Sequence, residues 1–460
     1  MVHIKTTQGL EIPLEGSPQG EILPFEVNGQ KAIIKQIALN LDSFETTKFK
    51  LLVRPGDQVK IGQPLAQDKI TPEMMFVSPA AGKVKEIRRG LKRRLLDIVI
   101  DVDSNEQAVD YGAFDLSRKS PEELKKHLLA AGLFPHIRQR PFGHPANPNK
   151  KPRYILVRAI ESAPFVPSAE MQVQGHEVDF QLGLNALNLL ADGAVHLVFR
   201  KDTPCSAFTA AKSVIKHTAE GIHPIGTDSV LIHHLSPIRN GEDVIWTLQV
   251  NDVIAIGYLL RTGHYFTERI VSIAGSGILS ERTGYFRIRE GVPISSLMLG
   301  RVENEPMRLI SGNPLTGKKV ELTDFLCFQD HVFTVLPESV DREFLHFLRL
   351  GADKFTASRT YLSSLFSSSK RKYFFNTSAH GEERGFITAE PYDKVFPMNI
   401  STMHLVRAVM AEDFDLAEKL GLLEIIPEDF ALPTFVCPSK IEMVQIMKQG
   451  LKRYAAEILE

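Results

Sequence analysis

The stretches VRPGDQVKIGQPLAQDKI (residues 53–70) and SPAAGKVKEI (residues 78–87) interrupt valine- and isoleucine-rich segments with closely spaced glycines and prolines. Glycine adopts positive φ angles at no steric cost and proline fixes φ at about −65°, so these residues favour tight turns. The segments between the turns have the length and composition of short strands. Together with LLDIVIDV (residues 95–102), which predicts a closing strand, they indicate a small β domain over residues 1–105.

This pattern of strands and turns resembles the barrel-sandwich domains that carry lipoyl or biotinyl groups. In such carriers the modified lysine lies at the tip of a β-turn, between two related halves. Lys69 follows Asp68 as it does in the carriers, but its spacing from Gly56 is shorter and Pro72 extends the loop beyond it. We therefore expect the barrel fold with an unmodified Lys69.

Residues 106–251 alternate helical and strand patterns. A first helix is predicted at SPEELKKHLLAAG (120–132), where Ser120 is a suitable N-cap and Pro121 occupies the first helical position. A strand, a helix, a strand, a helix and a strand are then predicted in turn, at YILVRAI (154–160), VDFQLGLNALNLLADG (178–193), AVHLVF (194–199), SAFTAAKSVIKHTAEG (206–221) and SVLIHHL (229–235). This order favours an open parallel sheet of the Rossmann type. No glycine follows the first strand directly, so a dinucleotide site is not expected.

The rest of the chain is predicted to form two further units. Residues 252–337 are mostly strands separated by glycine-rich turns, with GVPISSLM (291–298) as one short helix. Residues 338–460 are predicted to be helical, and their last helix starts at a Ser439-x-x-Glu442 capping box. The overall prediction is an α/β multidomain chain.

Composition excludes several classes of function. The chain has 54 Lys and Arg against 55 Asp and Glu, a formal net charge of −1, so nucleic-acid binding is not expected. The three cysteines, Cys205, Cys327 and Cys437, cannot supply a disulfide framework or the roughly four thiolates of an iron–sulfur cluster. Residues 1–16 show no signal peptide, and no apolar run approaches the ~20 residues of a spanning helix. We expect a cytoplasmic chain that reaches any membrane through partners.

Three motifs have both a functional and a structural interpretation. GNPLTGKK (312–319) nearly matches a phosphate-binding loop, but Lys319 stands where the magnesium-binding hydroxyl belongs, so a hairpin turn is favoured. Four histidines lie between residues 217 and 234, and ordinary polar or interface roles are favoured over a zinc site. KVKEIRRGLKRR (83–94) holds seven basic residues. It fits either a docking surface for acidic lipids or an acidic partner, or a solvated hairpin around Gly90.

Several strings, in order along the chain, resemble one family closely, namely the NqrA subunit of the bacterial Na+-translocating NADH:quinone reductase. They are VRPGDQVKIGQPL (53–65), FVSPAAGKVKEIRRG (76–90), RQRPF (138–142), DVIAIGYLLRTGHYFTERIVSIAG (252–275), RLISGNPLTG (308–317), YDKVFPM (392–398) and TFVCPSK (434–440). The resemblance covers essentially the whole chain. It implies a barrel-sandwich domain, a Rossmann-like domain, a β-grasp module of the soluble-ligand-binding (SLBB) type and a helical tail.

The resemblance also implies a function. The family's six-subunit complex moves electrons from NADH to ubiquinone through flavins and iron–sulfur centres on other subunits, and it exports Na+. The NqrA subunit is expected to lie on the cytoplasmic side of the inner membrane, against the large membrane subunit NqrB and near ubiquinone. It is expected to bind no redox cofactor of its own, so the chain would belong to a translocase without being catalytic by itself.

The family's quinone suggests one candidate site. A quinone needs an apolar slot with one or two hydrogen-bond donors for its carbonyl oxygens. GYLLRTGHYF (257–266) combines both, and the candidate contacts are Arg261, His264, Tyr265 and Phe266. No catalytic or metal-binding residue is predicted. The alternative function is a lipoyl- or biotin-type carrier fused to an α/β enzyme domain, in which Lys69 would bear a covalent group.

Overall fold

The computed structural model describes residues 1–27, 30, 31, 33–191, 194–302, 306–339, 348–366 and 371–459. An N-terminal segment precedes four successive units. The strands of this segment are β1 (His3–Lys5), β2 (Ile22–Pro24), β3 (Glu26–Val27) and β4 (Gln30–Lys31). Although β1 and β2 come first in the chain, each of them pairs with a strand of a later unit.

The first unit is the predicted β barrel. Its strands are β5 (Gln36–Asn40), β6 (Phe49–Leu51), β7 (Gln58–Val59), β8 (Pro64–Asp68), β9 (Met75–Val77), β10 (Gly82–Arg89) and β11 (Leu95–Val102). They form two antiparallel sheets, in the orders β5-β11-β10-β7 and β6-β8-β9. Leu65, Phe76 and Ile98 are fully or almost fully buried in this unit, and they belong to an apolar cluster that continues into the helices of the second unit.

The second unit is the α/β unit. Its elements are α1 (Pro121–Ala130), β12 (Arg138–Arg140), β13 (His144–Pro145), β14 (Tyr154–Ala159), α2 (Ala169–Val173), α3 (Glu177–Leu190), β15 (Val195–Arg200), α4 (Ser206–Thr209), β16 (Ile215–Glu220), α5 (Asp228–Leu235), β17 (Ile245–Gln249) and α6 (Val250–Thr262). The sheet order is β1-β16-β15-β14-β17-β12-β13, and the pairs from β1 to β17 are parallel. The predicted parallel core is therefore confirmed.

The start of α1 follows the prediction from sequence. The Ser120 hydroxyl accepts a hydrogen bond from the Glu123 amide, and the Glu123 carboxylate accepts one from the Ser120 amide. This reciprocal pair satisfies two amides that a helix start leaves without partners.

For α3, residues 192 and 193 of the predicted helix lie outside the described residues.

Two elements of the α/β unit differ from the prediction. The segment 206–221 is not one helix, because Ser213 has a φ of 61° and interrupts it between α4 and β16. The segment 229–235 is helix α5 rather than a strand, and His233 and His234 lie in its last turn. A short apolar run has no periodicity that separates a buried helix from a buried strand.

Helix α6 is a third difference, because residues 252–262 were predicted to be strand-rich. Almost every side chain from Val250 to Leu260 is buried, so the helix shows no polar face from which its period could be read. Helix α6 packs along α3, and each helix has a glycine at the contact, Gly257 in α6 and Gly183 in α3. A Cβ atom added at Gly257 would lie 1.7 Å from the Asp179 carbonyl oxygen, and one added at Gly183 would lie 2.1 Å from the Val253 carbonyl oxygen. The two helix backbones are therefore in direct contact.

The third unit is the predicted β-rich module. Its elements are β18 (Glu268–Ala274), β19 (Gly284–Arg289), α7 (Ile294–Met298), β20 (Met307–Ser311), β21 (Lys318–Val320) and β22 (Val332–Pro337). The sheet order is β2-β19-β18-β22-β20-β21. The predicted short helix is α7, and the segment 312–317 is the hairpin turn between β20 and β21.

The fourth unit carries the C-terminal helices. They are α8 (Glu390–Asp393), α9 (Thr402–Met410), α10 (Phe414–Lys419), α11 (Ala431–Val436) and α12 (Met443–Leu459). Tyr392, Phe396 and Leu405 join a buried cluster with Leu156 and Val198 of the parallel sheet, so these helices cover one face of that sheet. The predicted capping box is wrong, because the Ser439 hydroxyl donates to the Gly385 carbonyl oxygen and the helix starts only at Met443. The domain boundaries at 105, 251 and 337 stay predictions.

Candidate functional site

The candidate residues 261–266 lie where α6 ends and the chain turns toward β18. Gly263 has a φ of 77° and its amide donates to the Leu259 carbonyl oxygen over 2.7 Å, which is a common way to end a helix. Because the backbone reverses at this glycine, neighbouring side chains point to different parts of the molecule. The four candidates therefore do not line one slot.

Arg261 faces helix α3. Its Nε and Nη2 atoms donate to the two carboxylate oxygens of Asp179, over 2.6 and 3.0 Å. Asp179 is almost fully buried while the guanidinium is half exposed. Such a bidentate pair fixes both side chains, so two of the five Arg261 donors are already engaged.

Phe266 and His264 point to two further places. The Phe266 ring packs edge-on against His176, with ring centroids 5.2 Å apart. His176 lies 3.1 Å from a Glu268 carboxylate oxygen, and this hydrogen bond raises the pKa of His176. The Nδ1 atom of His264 lies 3.0 Å from the Val109 carbonyl oxygen and can donate to it. His264 thus ties α6 to the segment that leaves the barrel.

Tyr265 enters a buried polar network between the α/β unit and the β-rich module. Its hydroxyl donates to Glu290 over 3.2 Å and lies 3.3 Å from Nε2 of His136. On the other side of the imidazole ring, Nδ1 of His136 lies 3.0 Å from Oδ1 of Asp252. Burial raises the pKa of Tyr265 well above its ordinary value, so the hydroxyl keeps its proton and acts as a donor.

Asp252 is the centre of this network. Its Oδ1 atom also accepts from Nε2 of Gln329, and its Oδ2 atom accepts from the Gln249 amide at the start of α6, both over 3.1 Å. Burial raises the pKa of Asp252, but the hydrogen bonds from His136 and Gln329, with the positive charge of Arg269, outweigh it and hold the pKa below the ordinary value. The carboxylate is therefore a buried, fully bonded anion.

Sequence reasoning missed most of this network. Tyr265 was selected as a donor, but His136, Asp252, Glu290 and Gln329 were not. Asp252 could have been noticed as a single charge at the head of a long apolar run, since a buried charge requires partners. Its partners come from distant segments, and no local spacing indicates them.

The place where Rossmann folds bind a pyrophosphate is filled by protein groups. Arg158, near the carboxyl end of strand β14, donates to Glu161 over 2.6 Å and to Asp228 over 2.9 Å. Beside them, the Ser162 hydroxyl lies 3.0 Å from Nδ1 of His223. These groups lie at the carboxyl end of the parallel strands, where the first residues of α5 would otherwise face a ligand.

The other residues singled out from the sequence lie apart. Lys69 is exposed in the loop between β8 and β9, and its amide donates to the Lys48 carbonyl oxygen over 2.7 Å. Nε2 of His217 lies 2.9 Å from Nδ1 of His196, and Nδ1 of His233 lies 2.8 Å from Glu424. In the described ranges, no group of three or more histidine, cysteine or acidic side chains is placed to hold a metal ion. None of the helices in the described part of the chain is both long and apolar enough to cross a bilayer.

Comparison with known proteins identifies relatives over the full length. Family models match in order: the NqrA N-terminal barrel-sandwich hybrid domain at residues 4–103, the NqrA second alpha/beta domain at 119–265 and the NQRA C-terminal (SLBB) domain at 270–321. The NqrA subunit of the Na+-translocating NADH-quinone reductase of Chlamydia caviae is 37% identical, over 99% of this chain and 97% of that protein. The corresponding protein of Yersinia pseudotuberculosis is 34% identical, over 99% of this chain and 100% of that protein.

Solved structures show a weaker likeness. The NAD+-reducing NiFe hydrogenase in its air-oxidised state is 12% identical, over 77% of this chain and 67% of that one, with a TM-score of 0.38. The family matches follow the predicted order of barrel, α/β unit and SLBB module, and they confirm the fold class.

Proposed function

Because the chain belongs to the NqrA family of the Na+-translocating NADH-quinone reductase, we propose that it works as a peripheral, cytoplasmic-side component of that complex, docked on the large membrane subunit NqrB and near ubiquinone. The observation that carries this proposal is the full-length match, at 37% identity over 99% of the chain. A carrier domain fused to an unrelated enzyme would share only the barrel with such relatives. The other subunits of the complex are accordingly its partners.

The α/β unit supports a role without its own redox cofactor. The carboxyl ends of its parallel strands hold the buried cation Arg158 with Glu161 and Asp228, and these side chains satisfy one another. A nucleotide phosphate at this place would have to displace bonded carboxylates, which repel it. We propose that NADH, flavins and iron–sulfur centres are bound by other subunits.

Native purification tests membership of the complex. We expect a tagged chain, extracted from its own host's membranes in mild detergent, to co-elute with flavin-bearing subunits and with Na+-stimulated NADH:quinone reduction. The matched control is the same tag on a soluble cytoplasmic protein, carried through the same steps. Elution of the chain alone, colourless and inactive, from the membrane and cytosolic fractions would contradict the proposal.

Intact mass tests the carrier alternative. We expect the purified chain to have the mass of its sequence, 51.4 kDa, because Lys69 stays unmodified. A lipoyl or biotinyl adduct that disappears in a Lys69→Arg variant would instead establish the carrier function. Arginine keeps the positive charge at this position, so loss of the adduct in the variant can be assigned to loss of the lysine amine.

The quinone contacts proposed at the end of α6 are tested in the assembled complex. Because His264 and Tyr265 each fix the end of α6 through a hydrogen bond to a different segment, we expect His264→Gln and Tyr265→Phe to raise the KM for ubiquinone about fivefold, the effect of one lost hydrogen bond, without slowing NADH oxidation by an artificial acceptor. Both substitutions preserve side-chain size. Arg239→Gln, at an exposed arginine in the loop before β17, is the control. An unchanged KM in both variants would remove residues 261–266 from the quinone site.

A further inference from the structure

The tip of the β10–β11 hairpin, residues 89–94, presents an apolar side chain to solvent. Leu91 is 93% exposed, although the barrel strands on both sides of the turn contain buried residues. The next two residues, Lys92 and Arg93, have φ angles of 53° and 61°, which non-glycine residues adopt uncommonly. The Gly90 amide donates to the Arg94 carbonyl oxygen over 2.8 Å and closes the turn. The hairpin tip is therefore a defined turn that holds a leucine outside the fold.

Positive charge from three elements collects around this tip. Arg94 pairs with both Asp42 and Glu45; Lys318 of β21 also pairs with Asp42, and Lys448 of α12 with Glu45. Two carboxylates thus hold three cations at the base of the hairpin. Three more cations, which project from the tip itself, are Arg89, Lys92 and Arg93.

These six cations against two carboxylates form a basic patch in a chain whose total charge is nearly balanced. Charge alone would suit any acidic surface. The leucine at the apex, which is almost fully exposed, adds a requirement for an apolar environment next to the negative charges. A lipid interface offers both, namely anionic headgroups for the cations and acyl chains just beneath them for the leucine.

We propose that the hairpin tip binds the anionic phospholipid surface of a membrane, with Leu91 entering the interface and the basic patch contacting the headgroups. This contact is separate from docking on another protein, since it uses lipid only. It would set the orientation of the barrel relative to the bilayer.

Vesicle binding by the purified full-length chain tests the proposal. We expect it to bind vesicles that contain phosphatidylglycerol, to ignore vesicles of pure phosphatidylcholine, and to bind less tightly as salt is added. Each cation near an anionic surface strengthens binding about fivefold, so the triple variant R89Q/K92Q/R93Q should bind about a hundredfold more weakly. The control is K126Q/K150Q/K419Q, which removes the same charge from exposed lysines on other elements and should leave binding close to that of the wild type.

Fluorescence of the variant Leu91→Trp tests insertion independently. The chain's one tryptophan, Trp246, is buried, so the new emission reports the tip. We expect the emission of this variant to shift to shorter wavelength with phosphatidylglycerol vesicles and to remain unchanged with phosphatidylcholine. If the triple variant binds vesicles as tightly as the wild type, or the emission does not shift, the proposal fails. No other protein is present in this assay, so that failure leaves the proposed function untouched.

Discussion

Replacing Asp252 by alanine is expected to lower the free energy of unfolding by about 3–5 kcal/mol, because each buried donor that loses its acceptor costs about 1–3 kcal/mol. The substitution leaves His136 buried without its carboxylate partner, and it also removes the acceptors for Gln329 and for the Gln249 amide at the start of α6. The measurement is the denaturant midpoint of the purified chain, read together with its slope.

The control for this prediction is Asp115→Ala. Asp115 forms an ion pair with Arg118, but both side chains are exposed, so the loss of stability is expected to be much smaller than for Asp252→Ala. Equal effects of the two substitutions would show that the buried network adds no more to the free energy of unfolding than an exposed ion pair does. A third variant, Asp252→Asn, keeps the shape of the side chain and separates the loss of charge from the loss of volume.

The stabilisation by Asp252 should depend on pH with a definite sign. Because its pKa is lower in the folded chain than the ordinary value of 3.8, the contribution is fully present above pH 4. It declines as the pH falls below 3.8 toward the folded-state pKa, since the unfolded chain then takes up the proton first. We expect the difference in stability between wild type and Asp252→Asn to narrow below pH 4. A difference that widened there would contradict the assignment of a buried anion.

Replacing Gly257 by alanine is expected to cost about 3 kcal/mol, at the upper end of the range for overpacked sites. The added Cβ would lie 1.7 Å from the Asp179 carbonyl oxygen, and backbone on both sides leaves no rotamer change to relieve it. Helices α3 and α6 would have to separate, which would also disturb the Arg261–Asp179 pair and the network around Asp252. Thermal unfolding, followed by circular dichroism, measures the loss.

Gly385→Ala provides the matched comparison. A Cβ at Gly385 would meet only side-chain atoms of Ile387, 3.3 Å away, and these can move. We expect the melting temperature of this variant to stay close to that of the wild type. If Gly257→Ala were equally harmless, the two helices could move apart without cost, and their close packing would be unimportant for stability.

The elements with local signals were predictable from sequence. The turns of the barrel, the Ser120 cap of α1 and the hairpin turn at 312–317 each depend on a few neighbouring residues, and all three are present. Periodicity could not identify α6, which is buried on nearly every side, or α5, which is only eight residues long, so both were taken for strand regions. The candidate site was not predictable for a different reason. Gly263 reverses the chain, so the side chains on either side of it lie in separate environments.

The pairing of the N-terminal strands has a consequence for synthesis on the ribosome. The Val2 amide donates to Nδ1 of His217, 215 residues further along, and β2 pairs with β19 later still. At about 5–20 residues per second, strand β16 follows β1 out of the ribosome after roughly 10 to 40 s. The barrel, whose strands are adjacent in the chain, can close long before that. Strands β1 and β2 are thus translated first but are among the last to pair. They stay unpaired in the nascent chain while the barrel folds.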